Sequence, residues 1–395
     1  MENFTFYAPT KVVFGKNTEQ QTGSLVRMEH GKKVLIHYGS GSAVKSGLLD
    51  RITASLDEAG IPYVTLGGVV PNPRLSKVYE GIALCQKENV DFLLAVGGGS
   101  VIDSTKAIGY GLANPDIDVW SLYEKKAAAK GCYPIGCILT LAATGSEMSR
   151  SSVITNEENR LKRGYGSDYC RPRFAIMNPE LTYSLPAYQT ASGCVDILMH
   201  TLERYLMKSD TLELTDGMAE TLMRTVIKNA RILKKDPQNY QARAEVMWAG
   251  SLSHNNLMEC GGVHGDWSCH QLEHELSGMF DIAHGAGLAA IWGSWARYVF
   301  LEYPQRFAKL AAQVFDIAWD DVHHEDAALK GIAAMEEFFR EIDMPTSIRE
   351  LNLAPTPDQI QELTEKCSFW GTRTIGNIKA LTSEDMAAIY KLALN

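Results

Sequence analysis

The chain of 395 residues is too long for a single hydrophobic core, so we expect two domains. A content of 45% hydrophobic and 22% charged residues excludes intrinsic disorder, collagen-like repeats and a disulfide-rich mini-protein. The net charge is −9 and the sequence has no basic block, so the overall electrostatic field of the protein does not attract nucleic acid or anionic membranes. No apolar window suits a bilayer, no signal peptide begins the sequence, and eight cysteines without a CxxC pair are typical of reduced thiols, so we expect a cytoplasmic protein.

Short apolar runs alternate with glycine-rich turns and helical stretches over the first half of the chain. The runs that we interpret as buried strands cover residues 33–38, 61–66, 91–96 and 135–141. Buried strands that alternate with helices are typical of βαβ units. We therefore predict that residues 1–185 form an α/β domain with a Rossmann-like parallel sheet that binds a dinucleotide.

The pattern changes near residue 186 to long stretches at helical spacing, with almost no β-rich run. Clear examples cover residues 195–207, 215–233, 243–258 and 329–342. Helix-breaking pairs such as Asp236-Pro237 and Met344-Pro345 separate the stretches. We predict that residues 186–395 form an all-helical second domain that carries the metal and the catalytic residues.

A run of three glycines and a serine at residues 97–100 follows the third predicted strand and opens a helix. Glycines allow backbone N–H groups to approach a ligand, and a helix N-terminus contributes about half a positive charge. Ser100 and Asp103 also have the spacing of a capping box. We interpret this turn as a pyrophosphate cradle, and a glycine-rich turn without a ligand is the alternative.

A second glycine turn, at Gly39 and Gly41, follows the first predicted strand. Val44 stands where the dinucleotide fingerprint has its third glycine, so a standard Rossmann match fails. The next strand ends in Thr-Leu-Gly-Gly at residues 65–68 and lacks the carboxylate that would bind the 2′-hydroxyl of NAD. Together with the small residues after Tyr38, this favours NADP, with NAD as the alternative.

Asp196 and His200 are four residues apart, which places both side chains on one helix face about 6 Å apart. Their neighbours are apolar, so this face is predicted to be buried. A buried carboxylate must be paired or bound to a cation. An Asp–His hydrogen-bonded pair in a core would explain the same spacing without a metal.

Five of the ten histidines lie in one segment, at positions 254, 264, 270, 274 and 284. His270 and His274 share a helix face, but Gln271 stands where a metallopeptidase would need Glu, so that chemistry is disfavoured. His284 occupies a glycine-rich helix end or start. One carboxylate with two or three imidazoles suits Fe²⁺ or Zn²⁺ with an open position, whereas any single histidine could equally be a core or surface residue.

Taken together, these segments resemble the iron-containing (group III) alcohol dehydrogenases, and more narrowly their butanol dehydrogenase and broad-range aldehyde reductase branch. The resemblance runs nearly end to end. It is carried by residues 9–15, 71–73, 97–103, 139–147, 196–200 and 270–285. It implies the dehydroquinate synthase-like fold of that family, with an α/β domain and a helical domain around a deep cleft, and a homodimer.

Position by position, the resemblance implies one divalent ion, Fe²⁺ or Zn²⁺, with Asp196, His200, His270 and His284 as its ligands. His274 corresponds to a catalytic histidine close to metal and nicotinamide. The implied cofactor-binding residues are Gly39, Gly41, Ser42, Gly98, Gly99, Ser100, Asp103, Thr140, Leu141, Thr144, Ser146 and Lys162. His254 and His264 have no implied role, so we expect them to be structural.

The expected function is a metal-dependent alcohol dehydrogenase or aldehyde reductase that transfers a hydride between NAD(P)H and a small aldehyde or primary alcohol. We expect the ion to polarise the carbonyl and His274, or a water chain that it anchors, to return the proton. A glycerol dehydrogenase-like or dehydroquinate synthase-like enzyme is one alternative. A non-catalytic nucleotide-binding protein with a structural metal is another. The apolar residues near the ligands, Met199, Trp267, Met279 and Phe280, favour a small uncharged carbonyl compound.

Overall fold

The computed structural model describes residues 1–39, 41–209, 212–319 and 322–395. The chain divides into two compact units, Tyr7–Leu185 and Pro186–Asn395, and the first six residues belong to the second unit. In these described ranges, the strands all belong to the first unit and helices make up most of the second, which confirms the predicted fold class. Among the described residues, no helix is both long and apolar enough to cross a bilayer.

In the described part of the first unit, six parallel strands form the main sheet, in the order β1-β8-β5-β4-β2-β3. Their bounds are β1 Lys11–Phe14, β2 Val34–Gly39, β3 Tyr63–Val69, β4 Phe92–Gly97, β5 Ile135–Leu139 and β8 Phe174–Met177. The central strand β4 is buried along its whole length, as the continuous apolar sequence predicts for a parallel sheet covered on both faces.

An antiparallel hairpin, which the sequence reasoning did not predict, is inserted before the last strand. It consists of β6 Ser151–Asn156 and β7 Leu161–Gly166. Polar residues occupy both faces of these strands, so they lack the alternation that signals a half-buried strand. The hairpin packs against the helix that follows β4.

The helices of the first unit are α1 Thr22–Met28, α2 Ser42–Lys45, α3 Leu48–Glu58, α4 Leu75–Glu88, α5 Gly99–Ala113 and α6 Val119–Tyr123. Helix α5 is buried almost all round because it packs against β4 on one side and β6 on the other. A hydrophobic core on the sheet contains Val34 and Ile36 of β2 together with Phe92 and Leu94 of β4. The start of α5 is therefore held firmly at the end of β4.

The second unit is a bundle of helices. They are α7 Ala187–Tyr205, α8 Glu213–Lys235, α9 Tyr240–Ser253, α10 Ser268–Phe280, α11 His284–Val299, α12 Pro304–Phe315, α13 His324–Glu341, α14 Pro357–Cys367 and α15 Ser383–Leu392. Helix α11 lies in the middle of the bundle, against α7, α10, α13 and α15, with Trp292 and Trp295 fully buried. A helix that is apolar on all sides is expected at such a position.

Candidate functional site

The two predicted glycine turns lie side by side at the carboxyl ends of β2 and β4, which are neighbours in the main sheet. From β2 the chain continues to β3 on one side, whereas from β4 it continues to β5 on the other side. Such a reversal creates a crevice at the carboxyl ends of the strands, where open α/β sheets bind ligands. Gly39 is the last residue of β2, Gly41 and Ser42 come after it, and Gly98 and Gly99 follow β4. Ser40, between the first two glycines, lies outside the described residues.

The loop after β5 packs directly onto the start of α5. A Cβ atom added to Gly99 would lie 2.3 Å from Thr144 Oγ1, and one added to Gly98 would lie 3.0 Å from Leu141 Cβ. The Thr140 N–H donates to the carbonyl oxygen of Gly97 at 3.1 Å. Glycine is required at these positions because two backbone segments approach closely there.

The capping box predicted from Ser100 and Asp103 does not form, which corrects that expectation. Helix α5 begins at Gly99 with Gly98 as its N-cap, and no side chain caps it. The buried carboxylate of Asp103 instead accepts hydrogen bonds from Ser146 Oγ at 2.6 Å and from the Val153 N–H at 2.9 Å. Burial raises the pKa of Asp103, and this effect outweighs the two hydrogen bonds, which act to lower the pKa. Asp103 therefore contacts the loop after β5 from within the unit.

Lys106 is a buried polar residue of this region that sequence reasoning missed. Its ammonium group donates to the carbonyl oxygens of Ser146, Ser149 and Ser151 at 2.7, 3.0 and 2.7 Å. A buried ammonium group requires such acceptors. Lys162, the predicted ribose contact, is also buried, on β7 opposite Thr155.

Three elements of the helical unit bring the predicted metal ligands together. Asp196 and His200 lie on α7, His270 lies on α10, and His284 is the first residue of α11. One oxygen, Asp196 Oδ1, lies 3.3 Å from His200 Nδ1, 3.7 Å from His270 Nε2 and 3.6 Å from His284 Nε2. Ligand atoms of Asp196, His270 and His284 are all within 4.8 Å of one another, and His200 adjoins this group.

The donor atoms of this cluster fit a divalent cation. Asp196 Oδ1, His200 Nδ1 and His270 Nε2 are buried and have no hydrogen-bond partner. Leaving buried polar atoms unsatisfied costs about 1–3 kcal/mol each. One carboxylate oxygen and several imidazole nitrogens are a ligand set that Fe²⁺ and Zn²⁺ accept.

Two of these histidines have shifted pKa values in opposite directions. Burial lowers the pKa of His200, and the nearby His254 and His270 lower it further. Burial also acts to lower the pKa of His270, but the charge of Glu203 and its contact with Asp196 outweigh burial and raise the pKa to about 9. The site therefore attracts positive charge at His270, where a proton and a metal ion would compete.

Two buried glutamates that sequence reasoning missed contact the candidate ligands. Glu203 Oε2 lies 3.0 Å from His270 Nδ1, and Glu203 Oε1 accepts the His270 backbone N–H at 3.0 Å. Glu273 Oε2 forms a short hydrogen bond with His284 Nδ1. A signal was present, because Glu203 shares the helix face of Asp196 and His200, and Glu273 is three residues after His270.

The remaining histidines of the cluster differ in their surroundings. The ring centroid of His274 is 6.4 Å from that of His270 and 5.6 Å from that of His284. The ring of His254, which we expected to be structural, lies 4.1 Å from that of His200. His264 is exposed and is not part of the cluster.

The start of α10 is held in place by Asp266 and Trp267. Asp266 accepts hydrogen bonds from the backbone of Ser268 at 3.1 Å and from two N–H groups, of residues 377 and 378, at 2.8 Å. Trp267 has a left-handed backbone (φ 62°), and the Arg204 guanidinium lies 4.4 Å from the centre of its ring. The Trp267 ring is 5.3 Å from that of His270, so it forms part of the apolar surroundings of the site.

Comparison with known protein families identifies both halves of the chain. Residues 9–179 match the model of the iron-containing alcohol dehydrogenases, and residues 190–394 match the C-terminal model of the Fe-containing alcohol dehydrogenase family.

Several named proteins are similar over the full length. A probable NADH-dependent butanol dehydrogenase 1 of Bacillus subtilis is 40% identical, with 100% of both chains covered. The NADPH-dependent aldehyde reductase YqhD of Escherichia coli is 35% identical, again over 100% of both chains. The crystal structure of an NADH-dependent butanol dehydrogenase A from Thermotoga maritima superposes with a TM-score of 0.96 at 36% identity, covering 100% of this chain and 99% of that one.

Proposed function

Since the chain belongs to the iron-containing alcohol dehydrogenase family, whose members are oxidoreductases that use NAD(P)H and a divalent metal, we propose that it interconverts small aldehydes and primary alcohols. The observation that carries this proposal is the convergence of Asp196, His270 and His284 on one point of the helical unit. The unpartnered buried atoms of Asp196, His200 and His270 support a metal site in this chain.

We assign the metal to Asp196, His200, His270 and His284. A divalent ion supplies Lewis acidity toward a carbonyl group, and the nicotinamide supplies the hydride. The protein's own residues bind and orient these groups and exclude water. His274 is the proposed proton donor, because an imidazole titrates near neutral pH.

The nucleotide is assigned to the turns at the carboxyl edge of the sheet. The close approach of Gly98 and Gly99 to the loop after β5 supports this assignment, which includes the loop residues Thr140, Leu141, Thr144 and Ser146. The remaining proposed contacts are Gly39, Gly41, Ser42, Ser100, Asp103 and Lys162.

NADPH is proposed as the preferred cofactor, with NADH as the alternative. Strand β3 carries no acidic side chain. A Cβ atom added to Gly67 would lie 2.7 Å from the Tyr38 ring, so a longer side chain at Gly67 would require movement. The named relatives include both NADH-dependent and NADPH-dependent proteins. We also propose a homodimer, which sedimentation analysis would test.

The proposed substrate is a small, uncharged aldehyde such as butanal. Met199, Met279 and Phe280 belong to the helices that carry the candidate ligands, and we expect these apolar side chains to favour such a substrate. The names of the relatives support this choice, since they include butanol dehydrogenases and an aldehyde reductase.

Initial rates of butanal reduction with NADPH and with NADH, combined with metal analysis, test the proposed function. We expect chelation to abolish turnover and Fe²⁺ or Zn²⁺ to restore it. His270→Ala and His284→Ala should lose bound metal and turnover together. Full activity at a confirmed metal content of zero would contradict the proposal, as would full metal and full rate in either variant.

His274→Ala tests the proposed proton donor separately from the metal. We expect the variant to retain its metal and to reduce butanal about 10²-fold more slowly, with a changed pH profile, because general acid catalysis typically contributes that much. The exposed His264, replaced in the same way, is the matched control and should behave as the unaltered enzyme. An unchanged rate and pH profile for His274→Ala would remove this residue from the proton path.

A further inference from the structure

We propose that Glu203 and Glu273 are positioning residues, each of which fixes the tautomer and the orientation of one metal-facing histidine. Glu203 acts on His270 and Glu273 acts on His284. This inference rests on the proposed function, because it concerns the same metal site. It adds two residues, and a role for each, that lie outside the proposed ligand set.

The contacts of Glu203 define one tautomer of His270. An ionised carboxylate only accepts hydrogen bonds, so His270 Nδ1, 3.0 Å from Glu203 Oε2, carries the proton. In the neutral ring, which is the form that binds a metal, the lone pair is then on Nε2, the atom 3.7 Å from Asp196 Oδ1. The second oxygen of Glu203 accepts the His270 backbone N–H at 3.0 Å, so one side chain holds both the ring and the main chain.

Glu273 makes the equivalent contact with His284. Its Oε2 atom accepts from His284 Nδ1, and its Oε1 atom accepts from Ser277 Oγ, both through short hydrogen bonds. Nε2 of His284 is left with its lone pair, 3.6 Å from Asp196 Oδ1. A Cβ atom on Gly287 would lie 2.8 Å from Glu273 Oε1, so this glycine provides the space that the carboxylate occupies.

The two glutamates link the three ligand-bearing helices in chain order. Glu203 extends from α7 to the ligand of α10, and Glu273 extends from α10 to the ligand of α11. Both carboxylates are completely buried, so their hydrogen bonds are not in competition with solvent. Partners of this kind orient metal-binding imidazoles, and their loss typically weakens metal affinity 10–100-fold.

Metal affinity without nucleotide or substrate tests the inference. Zn²⁺ affinity, measured by competition with a chromophoric chelator, should fall about 10–100-fold in Glu203→Gln and in Glu273→Gln. Glu259→Gln is the matched control, because the Glu259 carboxylate contacts Arg204 at 3.8 Å and Asn256 rather than the candidate ligand histidines. We expect the Zn²⁺ affinity of this variant to stay within about twofold of that of the unaltered protein. A tenfold change in affinity corresponds to about 1.4 kcal/mol.

Gly287→Ala is an independent second variant that leaves Glu273 in the chain. The added methyl group displaces the Glu273 carboxylate, so the Zn²⁺ affinity should fall as it does in Glu273→Gln. Circular dichroism of each metal-free variant establishes that it is folded. Unaltered affinity in folded Glu203→Gln, Glu273→Gln and Gly287→Ala would overturn the inference.

A spectroscopic signature distinguishes positioning from a general loss of stability. In the Co²⁺-substituted protein, the Nδ1–H protons of ligating imidazoles give hyperfine-shifted NMR signals that disappear in D₂O. Glu203→Gln should shift the signal of His270 and leave that of His284, and Glu273→Gln should do the reverse. Signals that stay unchanged in both variants would contradict the assigned roles.

The outcomes separate this inference from the proposed function. A protein that reduces no aldehyde, but whose Co²⁺ signals respond to the two glutamine variants as expected, overturns the proposed function and supports the positioning role. A protein that reduces butanal while both glutamine variants keep full Zn²⁺ affinity supports the proposed function and overturns the positioning role.

Discussion

The Oδ1 atom of Asp196 lies 3.3 to 3.7 Å from nitrogen atoms of three histidines, which come from three helices. Two of those nitrogens, on His200 and His270, are buried without a hydrogen-bond partner. Such an arrangement is costly for a protein without a cation and favourable for one that binds it. At the scale of single residues, the unfavourable burial of polar atoms is therefore the clearest sign of function.

His37 shows that a buried histidine can also be purely structural. It lies on β2, where its Nδ1 donates to the Leu66 carbonyl at 2.8 Å and its Nε2 accepts from Ser104 Oγ at 2.9 Å. Burial lowers its pKa to about 4. Burial penalises the charged imidazolium, so protonation of His37 is unfavourable in the folded protein.

This shift predicts a pH-dependent stability. Between the folded pKa of about 4 and the unfolded value near 6.5, only the unfolded state binds the proton, so stability falls as the pH is lowered through that window. Above pH 6.5 the effect is absent. From pH 7 to pH 5, His37 should account for a loss of about 2 kcal/mol in the free energy of unfolding.

Urea unfolding of the unaltered protein and of His37→Gln at both pH values measures this contribution. The stability difference between the two proteins should shrink by about 2 kcal/mol at pH 5. His30→Asn, at an exposed position of the same unit, is the control and should leave the pH dependence unchanged. An identical pH dependence in His37→Gln would show that His37 does not titrate in this way.

At the scale of elements, the start of α5 depends on the loop that follows β5. Gly99 faces Thr144 across a gap that has no room for a methyl group, and Lys106 and Asp103 hold the same loop from inside. The start of α5 and the loop after β5 therefore pack together as one unit at the carboxyl ends of the strands. A change in one moves the other.

Gly99→Ala tests whether this feature binds the nucleotide. A Cβ atom 2.3 Å from Thr144 Oγ1 forces the segments apart, so NADPH affinity should fall about 10–100-fold, the range that corresponds to about 1–3 kcal/mol of overpacking. Metal content should not change, because the candidate ligands belong to the helical unit. Fluorescence titration with NADPH gives the affinity.

Gly217→Ala is the matched control for this prediction. Gly217 lies on α8 with open space where a Cβ atom would be, so the variant should bind NADPH as the unaltered protein does. Unchanged NADPH affinity in Gly99→Ala would exclude a nucleotide site that depends on this close approach.

At the scale of the whole molecule, the two candidate ligand sites belong to different compact units. The proposed nucleotide contacts lie within Tyr7–Leu185, and the proposed metal ligands lie within Pro186–Asn395. A ligand that binds only the folded state stabilises the unit that binds it. Metal and nucleotide should therefore have separable effects on unfolding.

Removal of the metal should lower the unfolding temperature measured by calorimetry, and added Zn²⁺ should restore it. At a free concentration of 1,000 times the dissociation constant, the stabilisation is about 4 kcal/mol. His270→Ala should show no such response, since it lacks a candidate ligand, whereas NADPH should still stabilise it. An equal response to Zn²⁺ in His270→Ala would place the stabilising metal elsewhere.

The features that follow from local sequence were predictable from the residues alone. Helical spacing placed Asp196 and His200 on one face, glycine runs marked the strand ends, and the apolar β4 segment indicated a parallel sheet. These signals are local because the helical repeat and the conformational freedom of glycine act over a few neighbouring residues. The order of several such segments along the chain also carried the family resemblance.

Features that depend on long-range contacts were decided by the tertiary structure. Asp103 was predicted to help cap α5 but bonds to Ser146 instead, and the β6–β7 hairpin was not predicted. Glu203 and Glu273 could have been solvated helix residues, since spacing along a helix does not show which polar face is buried. Packing α7, α10 and α11 together buries those carboxylates, and His270 and His284, two candidate ligands, are among their hydrogen-bond partners.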